Sequence, residues 1–191
     1  MIPLLASLWA CSTPQPEPIP PPAEVDLARL PGASLYQLSA PLLDQHGRQV
    51  PLSVFAGQPV LVSMFYASCT SACPMLVNDV RKLEALLSED ERAQVRVLLI
   101  SLDPASDTPA VLAEAAARYG VDADRWLLTS PPPAEVRTIA AALGIAYQAI
   151  ENGEFHHSSR VTLLDAQGVP KATAEGLGKP PDALLEALRV L

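Results

Sequence analysis

Residues 59 to 75 read PVLVSMFYASCTSACPM and hold two of the chain's three cysteines, Cys69 and Cys73. The apolar run at 59–66, which contains valines and aromatic residues, predicts a buried central strand. Pro74 suits the first turn of a helix, where its missing N–H costs no hydrogen bond. The stretch therefore predicts a strand that leads into a helix, with the cysteine pair at the junction.

The segments on either side alternate between strand and helix patterns. Residues 34–55 predict a hairpin, with His46 and Gly47 near its turn. Thr108 and Pro109 are residues that begin helices, and Gly120 is one that ends them. Further strands are predicted at 95–103, 145–150, 160–165 and near 169–174, and further helices at 134–144 and from residue 181 onward.

The order of these elements predicts an α/β protein with a thioredoxin-like fold: a central mixed sheet flanked by helices, with an N-terminal hairpin. Right-handed crossovers make the strands at 60–66 and 95–102 parallel. In the thioredoxin plan the strand at 160–165 runs antiparallel beside 60–66. Residues 154–159, which read EFHHSS, should then lie beside the cysteines.

Composition limits the classes of function. A chain of 191 residues with 49% hydrophobic content can form one domain with a sizeable core. The net charge of −8 argues against a nucleic-acid partner, because phosphate binding needs clustered lysine and arginine.

The N-terminal segment differs from the rest. Residues 1–11 read MIPLLASLWAC, and residues 12–24 contain six prolines, which predicts an extended tether. An apolar segment, a cysteine and a Pro-rich spacer resemble a bacterial lipoprotein signal with lipid on Cys11, although a charged start is absent and Trp9 is bulky. An uncleaved N-terminus is the alternative. We expect a signal segment at 1–11, a tether at 12–27 and a domain at 28–191.

The cysteine pair permits several kinds of site. A helix N-terminus favours thiolates, and a four-residue separation is compatible with a disulfide, a redox pair or a metal site. Two thiolates and one imidazole form a soft, three-coordinate set that suits Cu(I) and, with strain, Cu(II). Zinc usually takes a fourth ligand, and the other histidine, His46, falls in a distant predicted turn. From the residues alone, these alternatives stay open.

Four ordered motifs resemble the Sco/SenC family of copper-binding, thioredoxin-fold proteins that serve cytochrome c oxidase assembly. The first is the strand, Cys-x-x-x-Cys-Pro and helix. The others are SLDPASDTPAVLAEAAARYG at 101–120, RWLLTSPPPAEVRTIAAALGI at 125–145 and HSSRVTLLDAQG at 157–168. The resemblance covers residues 34 to 191.

The resemblance implies that Cys69, Cys73 and His157 are copper ligands. The family usually has an aspartate directly before the histidine, whereas this chain has His156, so a neighbour that could orient the imidazole is lost. His156 could serve as a ligand or a hydrogen-bond donor, or could alter metal preference. Glu151 and Glu154 could restore some of the missing charge.

The resemblance also implies two functions. One is a copper metallochaperone that delivers copper to the dinuclear copper site of cytochrome c oxidase subunit II. The other is a membrane-tethered thiol–disulfide oxidoreductase that reduces that subunit's cysteines, with either Cys69 or Cys73 attacking. The implied location is the periplasmic side of the bacterial inner membrane, with a copper donor and a thioredoxin-like reductant as further partners. A peroxidase is the weaker reading, because Ala67 and Ser68 replace the expected Pro…Thr arrangement.

Three further positions have interpretations of their own. Asp107 and Thr108 are interpreted as a helix cap. Asp103 precedes a turn proline and lies at the sheet edge where α/β proteins place their sites, so both readings stay open. Trp126 is interpreted as a core residue.

Overall fold

The computed structural model describes Asp26 and residues 29–150, 155–179 and 181–191. Its strands, in chain order, are β1 Pro41–Asp44, β2 Gln49–Pro51, β3 Val60–Phe65, β4 Arg96–Ser101, β5 Trp126–Ser130, β6 Tyr147–Ala149, β7 Phe155–His157, β8 Arg160–Leu164 and β9 Pro170–Glu175. Its α-helices are α1 Ala72–Ala85, α2 Glu89–Gln94, α3 Pro109–Tyr119, α4 Val136–Ala142 and α5 Asp182–Leu188.

Seven of these strands form one mixed sheet in the order β2-β1-β5-β4-β3-β8-β9. The middle strands β3, β4 and β5 run parallel, while β1 and β8 flank them antiparallel. Val60 is in register with Leu164 and Val62 with Thr162, so β8 begins beside the second half of β3. The predicted α/β architecture, with its mixed sheet and antiparallel 160–165 strand, is confirmed.

Apolar side chains bury both faces of the sheet. On one face α1, α3 and α5 supply residues such as Leu76, Leu112 and Leu184. On the other face α4 and the segments before β3 supply residues such as Ile139 and Leu35. Helix α3 begins and ends as predicted: the Thr108 side chain accepts the Val111 N–H at 3.4 Å, and Gly120 ends the helix in the left-handed region.

Three elements, β5, β7 and α2, were not expected from the sequence. Strand β5 is buried along its whole length between β1 and β4, but only its first three residues are apolar, a run too short to indicate a buried strand. Trp126, at its start, is a core residue as predicted. Helix α2 has no buried residue and therefore no apolar stripe; it begins at a capping box between Ser88 and Glu91.

The predicted signal segment, Cys11 and, apart from Asp26, the tether lie outside the described residues. Their roles therefore stay predictions. In the part of the chain that the structure describes, no helix has both the length and the apolar character needed to cross a bilayer.

Candidate metal and redox site

Cys69 lies in the loop between β3 and α1, and Cys73 lies in the first turn of α1. Both are buried free thiols within the core layer that α1 covers. The Cys73 N–H donates to the Cys69 sulfur at 3.3 Å. The start of the helix thus brings the two cysteines together, as the sequence predicted.

The two thiols have opposite electrostatic environments. Burial alone would raise the pKa of Cys69, but hydrogen bonds from the N–H groups of Cys73 and Ser71, from the Cys73 side chain and from the Tyr66 hydroxyl together lower it. Burial raises the pKa of Cys73, and the charges of Cys69 and Asp107 raise it further. Cys69 is therefore the more readily ionised thiol and the better nucleophile at neutral pH.

Helix α3 and the segment before it hold the base of the cysteine loop. The Ala67 N–H donates to Asp107 Oδ2 at 3.1 Å, and Arg118 Nη2 donates to the Ala67 carbonyl at 2.6 Å. The Ser101 hydroxyl donates to the same Asp107 oxygen at 2.5 Å. Burial raises the pKa of Asp107, and the hydrogen bonds from the Ser101 hydroxyl and the Ala67 N–H oppose that rise. Both backbone polar groups of the buried residue Ala67 are thereby satisfied by side chains.

The sequence had grouped Asp107 with Thr108 as a helix cap. Only Thr108 caps the helix. The Asp107 side chain instead accepts hydrogen bonds from the Ala67 N–H, just after β3, and from the Ser101 hydroxyl at the end of β4. Asp103 forms a turn: its carbonyl accepts the N–H groups of Ser106 and Asp107. Arg118 was not predicted as a site residue, because in the sequence it looks like any other charged helix residue. Its contact with the cysteine loop depends on the packing of α3 against that loop.

The two histidines at 156 and 157 face opposite sides of a small hairpin. Strands β6 and β7 pair Tyr147 with His157 and Gln148 with His156. His156 is exposed, whereas His157 is half-buried and packs edge-on against Tyr66, with ring centroids 6.0 Å apart. The two side chains alternate as strand geometry requires, and His157 is the one on the Tyr66 side.

The His157 ring has one free nitrogen. Nδ1 lies 3.3 Å from the Ser158 carbonyl, which accepts only from a protonated nitrogen, so Nε2 carries the lone pair. Nε2 is buried and has no hydrogen-bond partner in the described structure. Burial lowers the pKa of His157, which favours the neutral imidazole. A neutral imidazole with a free Nε2 is the form that ligates metals.

Two thiols and an imidazole are donors that suit a soft metal, but in this structure they do not converge on one point. Among the described residues, no three His, Cys, Asp or Glu side chains are gathered closely enough to hold a metal ion. Tyr66, which the sequence analysis did not single out, contacts both Cys69 and His157. The copper ligation by Cys69, Cys73 and His157 therefore stays a prediction.

The remaining predicted positions lie elsewhere. His46 is exposed in the β1–β2 turn. Strands β5 and β4 separate β1 from β3, the strand that leads to the cysteines, so His46 is distant from the site, as expected. Glu151, Glu154 and Cys11 lie outside the described residues, so the structure does not test them.

The fold is thioredoxin-like, and it carries a pair of buried free thiols where a helix begins. Comparison with known families makes the assignment specific. The SCO1/SenC family model matches residues 33–191, and the chain belongs to this family. A SCO1 protein homolog of Bacillus subtilis is 30% identical over 141 residues, which are 72% of each chain.

Three solved structures share the fold. The SCO1/SenC family lipoprotein of Bacillus anthracis has a TM-score of 0.72 at 19% identity, covering 81% of this chain and 94% of that one. Arabidopsis thaliana ScoI, solved with copper bound, has a TM-score of 0.69 at 17% identity, with coverages of 79% and 96%. BsSco, a member of the Sco family of cytochrome c oxidase assembly proteins with a disulfide switch, has a TM-score of 0.68 at 23% identity, with coverages of 78% and 89%.

Proposed function

We propose that this protein is a copper metallochaperone that binds one copper through Cys69, Cys73 and His157. It delivers the metal to the dinuclear copper site of cytochrome c oxidase subunit II. The carrying observation is the buried Nε2 of His157, which has no hydrogen-bond partner among the described residues, in a ring that packs edge-on against Tyr66 of the cysteine loop. Membership of the SCO1/SenC family and the likeness to a copper-bound ScoI support copper as the ligand.

The donor set supports a soft metal in either common copper state. Two thiolates and an imidazole suit Cu(I) and, with strain, Cu(II). Cys69 is already disposed to ionise, whereas Cys73 must lose a proton against its raised pKa when copper binds. Loading therefore releases at least one proton, and the metal's charge offsets the cost of a second buried thiolate.

Transfer proceeds by exchange of ligands. Another copper donor supplies the metal, and cysteine or histidine side chains of subunit II replace Cys69, Cys73 and His157 one at a time. Cys69 lies in the loop and His157 on the small hairpin outside the main sheet, so these two ligands are the first to be exchanged. Cys73 is fully buried in the first turn of α1 and is released last.

A matched pair of histidine variants tests the ligand set. Copper stoichiometry of the reduced protein is measured for the wild type, Cys69→Ala/Cys73→Ala, His157→Ala and His156→Ala. We expect one copper for the wild type and none for the double variant. His157→Ala should weaken binding far more than His156→Ala, because His156 is exposed on the opposite face of β7. Equal losses for the two histidine variants would reject His157 as the ligand.

A thiol–disulfide oxidoreductase is the second candidate, and the unequal thiols favour it. The Cys69 thiolate would attack a disulfide in the partner, and the partner's leaving sulfur would depart as a thiol. Cys73 would then resolve the mixed disulfide, so that the partner gains two electrons and Cys69–Cys73 becomes a disulfide. A thioredoxin-like reductant would restore the dithiol.

His157 distinguishes the two candidates. A reductase has no need of an imidazole here, so His157→Ala should leave the reduction of a model disulfide peptide nearly unchanged. A metallochaperone should lose copper binding with the same substitution. If His157→Ala lost peptide reduction but kept copper binding, the oxidoreductase would be favoured over the metallochaperone.

The proposed location is the periplasmic side of the bacterial inner membrane, with a lipid on Cys11 as the anchor. The support is the sequence of the first 24 residues and the likeness to a SCO1/SenC family lipoprotein. The Pro-rich tether would hold the domain away from the membrane surface.

A further inference from the structure

A polar cavity of about 280 Å³ lies at the end of the sheet where β5 begins, opposite the end that carries the cysteines. Its lining comes from the second half of α1, from α2 and from the loop between α3 and β5, and it includes Arg81, Arg92 and Arg125. Cys73 lies in the first turn of the same α1, whose 14 residues rise about 20 Å. The cavity is therefore separate from the metal and redox site.

The two carboxylates that line this cavity both pair with one arginine. Arg125 Nη1 donates to Glu84 Oε1 at 2.6 Å, and Arg125 Nε donates to Asp122 Oδ2 at 3.0 Å. Glu84 is buried and also accepts the indole N–H of Trp126 at 3.3 Å. These contacts fix the Arg125 guanidinium in the cavity wall and occupy both acids.

The other two arginines keep most of their donors. Arg81 Nη1 donates to the Tyr119 carbonyl at 2.9 Å, and this side chain makes no other hydrogen bond or ion pair among the described residues. The Arg92 side chain makes none in the part of the chain that the structure describes. A guanidinium has five N–H donors, so these two side chains have donors to offer a ligand.

Positive charge gathers here although the chain as a whole has a net charge of −8. Three guanidinium groups against two carboxylates give the cavity lining a net charge of +1. Arg96, the first residue of β4, adds another cation nearby: burial lowers its pKa, and the charge of Arg125 lowers it further. Like charges that are held together destabilise one another, and an anion bound among them relieves the repulsion.

We propose that this cavity is a binding site for a phosphate oxyanion, present as the free ion or as a lipid headgroup. Its arginines come from three separate elements, so their donors approach from several directions, which suits a tetrahedral anion. Arginine recognises phosphate through paired N–H···O bonds. The cavity also has room for the ion, since its volume is several times the ~30 Å³ that one water occupies in the liquid.

Calorimetric titration of the full chain with inorganic phosphate, in a phosphate-free buffer, tests the site. We expect one saturable site in the wild type. Arg81→Gln and Arg92→Gln should each weaken binding about tenfold, because each removes charged hydrogen-bond donors. Absence of saturable binding by the wild type would overturn the proposal, and so would undiminished affinity in both variants.

Arg137→Gln is the matched control. Arg137 is exposed on α4, which covers the other face of the sheet, and it forms no ion pair in the described structure. Its substitution removes the same charge and should leave phosphate affinity unchanged. Equal weakening in all three variants would trace binding to net charge and overturn the site. Thermal unfolding midpoints verify that the variants remain folded.

Vesicles distinguish the two sources of phosphate. Cys11→Ala protein, which lacks the proposed lipid anchor, is sedimented with vesicles of phosphatidylethanolamine and phosphatidylglycerol. Vesicle binding that Arg81→Gln weakens and that inorganic phosphate displaces would identify a lipid headgroup, which would hold the cysteine end of the domain away from the membrane. Phosphate binding in solution without vesicle binding would identify a soluble phosphate. Copper stoichiometry should be unchanged in Arg81→Gln, so this site and the proposed copper site stand or fall separately.

Discussion

Asp107 accepts a hydrogen bond from the backbone N–H of Ala67 across 40 residues of chain. Ala67 lies two residues before Cys69 and two residues after the end of β3. The bond therefore connects the segment that begins α3 to the loop that presents the first thiol.

Asp107→Ala should destabilise the fold. The substitution leaves the buried Ala67 N–H and Ser101 hydroxyl without their acceptor, which costs about 1–3 kcal/mol of unfolding free energy for each unsatisfied group. Urea denaturation measures the loss. Asp103→Ala is the control, because that side chain is partly exposed at the neighbouring turn. Similar losses for the two aspartates would contradict the assigned role.

Alkylation should distinguish the two thiols by pH. In Cys73→Ala the remaining Cys69 keeps its backbone N–H donors, and its lowered pKa puts the midpoint of iodoacetamide reactivity below the value of about 8.5 for a free cysteine. In Cys69→Ala the buried Cys73 should titrate above that value, since burial is the largest cause of its raised pKa. The rate–pH profiles of the two variants are the measurement, and midpoints in the reverse order would refute the assignment.

Copper binding and disulfide formation should exclude each other. Only a thiolate ligates the metal, so an oxidised Cys69–Cys73 pair would leave His157 as the one remaining ligand. Copper content and free-thiol count are measured on one sample before and after mild oxidant. Bound copper should also protect both thiols from alkylation. Undiminished copper affinity in protein with no titratable thiol would instead favour a structural disulfide.

Gly168→Ala should be more damaging than Gly47→Ala. Both glycines have a positive φ, of 77° and 75°, so both substitutions carry the same backbone strain. A Cβ on Gly168 would lie 2.6 Å from the buried Tyr36 ring, whereas a Cβ on Gly47 meets nothing within 4 Å. The clash should add about 1–3 kcal/mol to the loss at Gly168. Chemical denaturation of the two variants compares them, and equal stabilities would show that the ring moves aside.

The mature N-terminus should be a lipidated Cys11. Mass spectrometry of protein isolated from bacterial membranes should show a mass that begins at Cys11 with acyl chains attached. Cys11→Ala should release the domain from the membrane fraction and leave copper binding by the isolated protein unchanged. Mature protein that retains Met1, or that begins beyond Cys11, would contradict this prediction.

Sequence alone determined the local units and their order. The apolar run before Cys69, the proline after Cys73 and the cap at Thr108 act within a few residues, so their consequences can be read directly from the chain. The opposite facing of His156 and His157 follows from the geometry of any strand. The thioredoxin plan then placed the strand at 160–165 antiparallel beside 60–66, with the histidine segment at the cysteine edge, and the β3–β8 pairing confirms the position of that strand.

Only the tertiary structure decided how the thiols differ and what surrounds them. Asp107, Arg118 and Tyr66 act on the cysteine loop through contacts that depend on packed helices and a distant hairpin, so no local pattern marks them. Strand β5 escaped prediction because its apolar run is only three residues long and ends at Thr129 and Ser130, too short to indicate a buried strand. Long-range packing sets the burial that raises the pKa of Cys73, and it also sets the position of His157 against Tyr66.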